Sequence, residues 1–335
     1  MRRIVLMATM AVLVALSLLV STGFASAKPK GHVVRPGESI QKAIKAADPG
    51  DTIVVLGGVH HETVAIKKDG ISLRGVDAVL KPPTKPTSPC GASGFCVQAD
   101  NVSISGFTVR NFPEFGIFAS GVRNAKFMSN RAINNRGYGI AAFSSTGTQM
   151  IANLTRGSDD AGLYVGDSRH ADATVVANET YDNFLGILVR NARHGKITGN
   201  QVHNNCVGMF FLADDPGPAG VFDVRGNKVE NNTRACPAFE DAPPLSGIGI
   251  ALLGARGMEI KSNQIMHNVP SGPTGFSGGV VVMSGFKGTP PTNNTVTSNT
   301  TLRNKPDIFW DKSGSGNRLK PNNCKTSKPG RLCKG

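Results

Sequence analysis

The stretch GLYVGDSRHADATVVANETYDNFLGILVRNARHGKITGNQVHNNCVGMFFL, residues 162–212, decides the fold. A Gly followed by an apolar run opens it at Gly162 and recurs at Gly186 and Gly208. Upstream, Gly116 and Gly139 join the series, with spacings of 23, 23, 24 and 22 residues. Looser copies follow at Gly247, Gly278 and Asp307. One Asn ladder precedes each Gly: Asn130, Asn153, Asn178, Asn200, Asn227, Asn263 and Asn299. A second follows about five residues on: Asn135, Asn183, Asn205, Asn232, Asn268 and Asn304.

Self-similarity at such a period means a solenoid or a related array. The apolar runs are too short for helices, and Val, Ile and Thr are plentiful, which favours strands. A leucine-rich repeat needs a Leu framework that is absent, and a propeller blade needs roughly twice this period. The pattern predicts an all-β, single-stranded right-handed parallel β-helix of about ten coils. Successive coils lie about 4.8 Å apart, so identical positions become neighbours. Inward Ile and Val should then form a continuous core. Asn at a bend tolerates left-handed geometry and can bond its counterpart in the next coil. The sequons at Asn153 and Asn178 are therefore read as buried ladder positions rather than glycosylation sites.

A solenoid needs capped ends. In RPGESIQKAIKAADPGDTIVV, residues Ile40, Ala43, Ile44 and Ala47 share one apolar helix face, and Pro49-Gly50 ends the helix. Thr52 to Val55 is expected to open the first strand. Residues 33–50 are read as the N-terminal cap, 51–311 as coils and 312–335 as a closing cap. Residues 1–27, with Arg2-Arg3, an apolar core and Ala25-Ser26-Ala27, read as a secretory signal peptide. The mature domain is then 28–335, secreted and extracellular, with no other run long enough to span a bilayer.

The formal net charge is +14, or +12 without Arg2 and Arg3, which favours an anionic partner such as acidic polysaccharide. Basic runs interleaved with aromatics are absent, so nucleic acid is not expected. A monomer is expected. Six Cys in an exported chain suggest disulfides, paired Cys90–Cys96, Cys206–Cys236 and Cys324–Cys333.

The run GESIQKAIKAADPGDTIVVLGGVHHETVAIKKDGISLRG, followed by N-x-x-x-x-N-x-x-G-[ILM] coils, resembles secreted right-handed parallel β-helix proteins of the pectin-lyase-like fold, with NosD-like and uronan-epimerase-like branches. The resemblance covers nearly all of residues 33–333. It implies lyases, glycosidases, C5-epimerases, adhesins or copper-delivery proteins, and fold alone does not choose among them. The epimerase D-P-H-[DE] signature is missing; Asp214-Asp215-Pro216 lacks its His. Asp159-Asp160 and His194-Gly195 are present without the N-T-D and R-I-K partners of polygalacturonases. The pectate-lyase signatures W-x-D-H and R-x-P-x-x-R are absent.

Counting from each Gly, position two holds Phe118, Ala141, Tyr164, Leu188 and Phe210, predicted to face outward as a sugar-stacking platform. Asp167 and Asp214 lie just past this strand, two coils or roughly 9.6 Å apart axially. Arg190 sits between them. A uronan lyase or epimerase must neutralise the substrate carboxylate, by Ca²⁺ held on acids or by Arg, and needs a base for the C5 proton. The candidate catalytic set is Asp167, Arg190, His194 and Asp214. The candidate binding set is Tyr164, Asp160, Arg193 and Phe210. The doubled Arg169-His170 and Arg193-His194 recur in phase, which makes His170 and His194 neighbours and candidate metal ligands. His60-His61 is read as surface. The expected function is extracellular recognition or processing of acidic polysaccharide, as a lyase or C5-epimerase. The competing expectation is a non-catalytic surface-binding module or a NosD-like metal-handling protein.

Overall fold

Gly and Asn break each repeat into runs of three to six residues, and each run forms a strand. A computed structural model describes residues 30–85, 90–214, 218–238 and 242–333. The expected leader, residues 1–27, and Asp215 lie outside the described residues.

The strands gather into three parallel sheets, two of 11 strands and one of 10 among the described residues. Neighbours within a sheet come from successive coils. Ala161–Gly166, Leu185–Arg190, Val207–Leu212, Ile248–Leu253 and Gly278–Met283 are consecutive in one sheet. Arg193–Thr198 and Gln201–His203 belong to the other two. Backbone register stacks Leu163, Ile187, Met209, Ile250 and Val280 in one column. Those side chains, with Val165, Val189 and Phe211, belong to a continuous core. The fold is thus all-β, with one short helix among the described residues, Ile40–Ala46. Ile40 and Ile44 are its buried residues, as the spacing predicts.

The first strand is not Thr52–Val55. Among the described residues Gly31–Val34 comes first: it precedes the helix and pairs in parallel with Thr52–Val55. The run is too short and too polar at its start to show periodicity. His60 is also not on the surface: it is buried, with its ring nitrogens 3.3 Å from the Glu38 carbonyl and 3.4 Å from that of Leu56. Alternation in Gly58–His61 turns His60 inward and leaves His61 exposed.

Both Asn ladders are buried; the first is continuous, and the second is interrupted after Asn135, where the Ser158 backbone N–H meets Asn183 Oδ1. Nδ2 of Asn178 donates to Oδ1 of Asn200 at 2.9 Å, Asn200 to Asn227 at 2.9 Å and Asn227 to Asn263 at 2.9 Å. The second ladder runs from Asn183 through Asn205, Asn232 and Asn268 to Asn304. Each ladder Asn also accepts the backbone N–H of its predecessor, as Asn200 does from Asn178 at 2.9 Å. The expectation that ladder Asn itself holds the left-handed bend needs correction. The positive φ belongs to the residue before it: Ala152, Ala177 and Gly199 in the first ladder, Asp182 and Asn204 in the second. This bend aims the following amide inward along the coil axis.

Three positions of the Gly ladder, Gly116, Gly162 and Gly208, follow in part from the second Asn ladder. A Cβ on Gly116 would lie 2.6 Å from Asn135 Nδ2, one on Gly162 2.8 Å from Asn183 Nδ2, and one on Gly208 2.9 Å from Asn232 Nδ2. These contacts are closer than carbon and nitrogen tolerate, so the coil closes only with hydrogen there.

Candidate functional site

Two changes in the repeat create the site. Strands of the sheet holding Leu185–Arg190 lengthen to six residues from Ala161–Gly166 through Gly278–Met283. Later, the ladder spacing grows to 36 residues at Asn227 to Asn263 and again at Asn263 to Asn299. The extra chain folds back over the outer face of that sheet. Leu245 and Phe276 become buried there, and Phe286 packs beside them. The Cys206–Cys236 disulfide ties the first of these loops to its coil, and Cys236 pairs with Leu245 in an antiparallel bridge. Cys90–Cys96 and Cys324–Cys333 are also bonded, so every cysteine is oxidised.

The outward face is therefore no open platform. Tyr164 is 2 % exposed, Leu188 5 % and Phe210 3 %, and they form a second apolar cluster outside the coil. Tyr138 and Phe143 cover Tyr164, and Phe286 of the loop lies against Phe210; such burial is favourable, at about 25 cal/mol per Å² of apolar surface removed from water. What stays open is a cleft of about 480 Å³ between sheet and loops. Its floor is Leu185, Leu188, Phe210 and Leu212. Phe184, Tyr138 and Asp160 line it as well, together with Ala242, Leu245 and Phe286 from the loop side.

The polar group of the cleft is centred on Asp214. Its Oδ2 accepts from Arg190 Nη2 at 2.6 Å, and Lys287 Nζ lies 3.7 Å from Oδ1. The Asp214 backbone N–H donates to Asn191 Oδ1 at 2.9 Å, which fixes the carboxylate's approach. Burial opposes the charge on Arg190, but the bond to Asp214 holds its pKa above the ordinary guanidinium value. Tyr138 stacks on Tyr164, with ring centroids 4.4 Å apart. Burial, then Asp160, pushes the Tyr138 phenol far up; burial, then Asp167, does the same for Tyr164. Both rings stay protonated and can donate.

Asp160, Arg190, Phe210 and Asp214 of the expected set thus line one cleft. Asp167 does not line it; its carboxylate accepts from the buried Tyr164 hydroxyl at 3.2 Å. Arg193 and His194 lie on a strand of a different sheet, Arg193–Thr198, outside the cleft lining. His194 therefore does not converge with Arg190 and Asp167. The His170 and His194 rings do stack, with centroids 6.0 Å apart and planes 11° from parallel. Among the described residues no group of three or more His, Cys, Asp or Glu side chains is gathered to hold a metal ion. Sequence reasoning missed Tyr138, Phe184, Leu245, Phe286 and Lys287. The lengthened repeat after Asn227 was the available signal for the last three.

Coils stacked in three parallel sheets define a right-handed parallel β-helix protein. The family described as "Right handed beta helix region" matches residues 62–216 and again 156–331, and the chain belongs to it. No curated protein sequence matches. Among solved structures, the chain is similar to DFA-IIIase from Arthrobacter chlorophenolicus A6 in complex with DFA-III, at 12 % identity and TM-score 0.61, covering 86 % of this chain and 93 % of that one. It is also similar to the Dettilon tailspike protein, at 14 % identity and TM-score 0.59, covering 87 % and 67 %. A third is the A-module of the Azotobacter vinelandii mannuronan C-5 epimerase AlgE6, at 15 % identity and TM-score 0.51, covering 88 % and 89 %. At these identities the likeness is one of fold. No helix among the described residues is long and apolar enough to cross a membrane.

Proposed function

We propose that the protein recognises or processes carbohydrate outside the cytoplasm, holding the sugar in the cleft between Tyr138 and Lys287. The observation that carries this is the cleft's composition: an apolar, ring-lined floor beside Asp214 flanked by two cations. Sugar faces are apolar and pack on such a floor, while a carboxylate and a guanidinium bond vicinal hydroxyls. A uronate suits it best. Its carboxylate would pair with Arg190 and Lys287 and release Asp214, the group placed to take or give a proton in lyase or C5-epimerase chemistry. The solved structures of an epimerase and of a DFA-III complex on this fold support a carbohydrate reading. The closed Arg190–Asp214 pair favours a second reading, binding without turnover.

Residues 1–27 act as the leader in this reading and 28–335 as the mature domain. Helix Ile40–Ala46 closes one end of about ten coils, residues 312–335 close the other, and the chain works as a monomer. Export agrees with all six cysteines being disulfide-bonded.

Titration calorimetry with oligouronates and neutral oligosaccharides tests the site, and ultraviolet absorbance of an unsaturated uronate reports cleavage. Binding should be lost in Arg190→Gln. Unchanged binding in that variant, or no binding of any oligosaccharide, overturns the proposal.

A further inference from the structure

Charge is distributed very unevenly along the solenoid. Residues 63–302 carry 21 Lys and Arg against 17 Asp and Glu, a net +4 over the body. Residues 30–62, at the opening end, carry 4 of each sign. Residues 312–333 carry six cations and no carboxylate: Lys312, Arg318, Lys320, Lys325, Lys328 and Arg331. All six are exposed.

This segment is stacked on the end of the coil rather than trailing from it. Arg318 bridges to Thr295 in one sheet, Asn323 to Thr300 in the second, and Ser327–Lys328 pairs with Ile308–Trp310 in the third. Leu319 is buried in the core, Leu332 packs against it, and Cys324–Cys333 closes the loop. The nearest carboxylates are turned elsewhere. Asp307 is buried and accepts from the backbone N–H groups of Asn304, Lys325 and Thr326. Asp311 accepts from Ser284 and Ser313. Among the described residues, Lys312, Arg318, Lys325, Lys328 and Arg331 form no ion pair with any carboxylate.

We propose that this closing end is a second docking surface, separate from the cleft, for an anionic glycan polymer. Six like charges on an ordered end create a local potential that a polymer with repeating carboxylates or phosphates neutralises. The surface does not suit a bilayer, because none of the exposed large hydrophobic residues lies on it. It offers no stacking platform for single-stranded nucleic acid either. Its rings, Phe309 and Trp310, are half-buried, with Lys328 lying over Phe309 and the Trp310 indole N–H given to the Ser313 carbonyl, so no ring is open for base stacking. One end of the solenoid would then anchor on the polymer while the lateral cleft faces free chains.

The experiment is salt-dependent binding of the full chain to immobilised polygalacturonate and to a phosphate-repeat glycan polymer, with neutral dextran, duplex DNA and anionic vesicles as references. Lys320→Gln/Lys325→Gln/Lys328→Gln/Arg331→Gln should weaken binding at low salt about tenfold or more. Lys67→Gln/Lys81→Gln/Lys126→Gln/Lys196→Gln removes the same charge from the body and should change it little. The phosphate polymer carries no uronate for the cleft, so its loss of binding in the first quadruple variant reads the closing end alone, and the two proposals fail separately. Equal loss in the two quadruple variants means that net charge alone binds and overturns the proposal. Equal binding to dextran, or preference for DNA or anionic vesicles over both polymers, also overturns it. Thermal melting of each variant checks that it is folded.

Discussion

Asn200→Ala should be among the most damaging single substitutions in the body of the protein. Asn200 is fully buried. Its Oδ1 accepts from the Asn178 backbone N–H and from Asn178 Nδ2, each at 2.9 Å. Its Nδ2 donates to Asn227 Oδ1 at 2.9 Å and to the Val175 carbonyl at 3.0 Å. Truncation leaves the Asn178 N–H buried without its partner, which costs about 1–3 kcal/mol. Asn178 Nδ2 keeps the Met150 carbonyl at 2.9 Å, and Asn227 Oδ1 keeps the Asn200 N–H at 2.9 Å. Each nevertheless loses one bond, worth about 0.5–1.5 kcal/mol. The sum is about 2–6 kcal/mol. Asn200→Asp restores the acceptor but not the donor, and it sets a carboxylate against two oxygens. It should cost at least as much at neutral pH and less once the carboxyl is protonated. Denaturant unfolding followed by circular dichroism measures both, with the exposed Gln201→Ala as reference. A cost for Asn200→Ala below about 1 kcal/mol would refute the view that the ladder holds the coils together.

Ala177→Gly should stabilise the protein by up to about 1 kcal/mol, since Ala177 sits at φ 54 where Gly199 and Gly226 occupy the same phase; no gain in melting temperature counts against the assigned bend. Gly208→Ala should cost about 3 kcal/mol or more, because its Cβ would meet Val229, the Gly249 carbonyl and Asn232. Gly199→Ala, with open space at φ +65, should cost about 1–2 kcal/mol, and equal losses would contradict the packing argument. The His32 ring at 2.8 Å, then the Lys30 and Asp48 N–H groups, lower the Asp51 pKa to about 2. A depressed carboxyl stabilises fully above its ordinary value of 3.8, and that contribution is lost as pH falls through about 2. Asp51→Asn should therefore flatten the fall in melting temperature between about pH 4 and pH 2, whereas parallel curves would exclude the link. The Tyr138 and Tyr164 phenols should ionise only on alkaline unfolding, so ultraviolet titration and circular dichroism should show their transition together.

The sequence by itself determined the repeat, its strands and its two Asn ladders. Stacked coils make residues 22 to 36 apart into direct neighbours, so each coil's needs are written into the next at the same phase. The helix at Ile40 was legible for a similar reason, because its apolar spacing is local. Only the tertiary structure decided which residue takes the left-handed bend, since Asn at a turn suits either position until its side chain has a partner. It also separated His194 from Arg190: four residues on, the chain has turned a corner into another sheet. The cleft was the least legible feature. Leu245, Phe286 and Lys287 come from stretches that interrupt the period, and their place depends on where the returning chain packs over Phe210. Periodicity fixes what neighbouring coils share. A site is made where they differ, and that difference has a position only after the chain has folded.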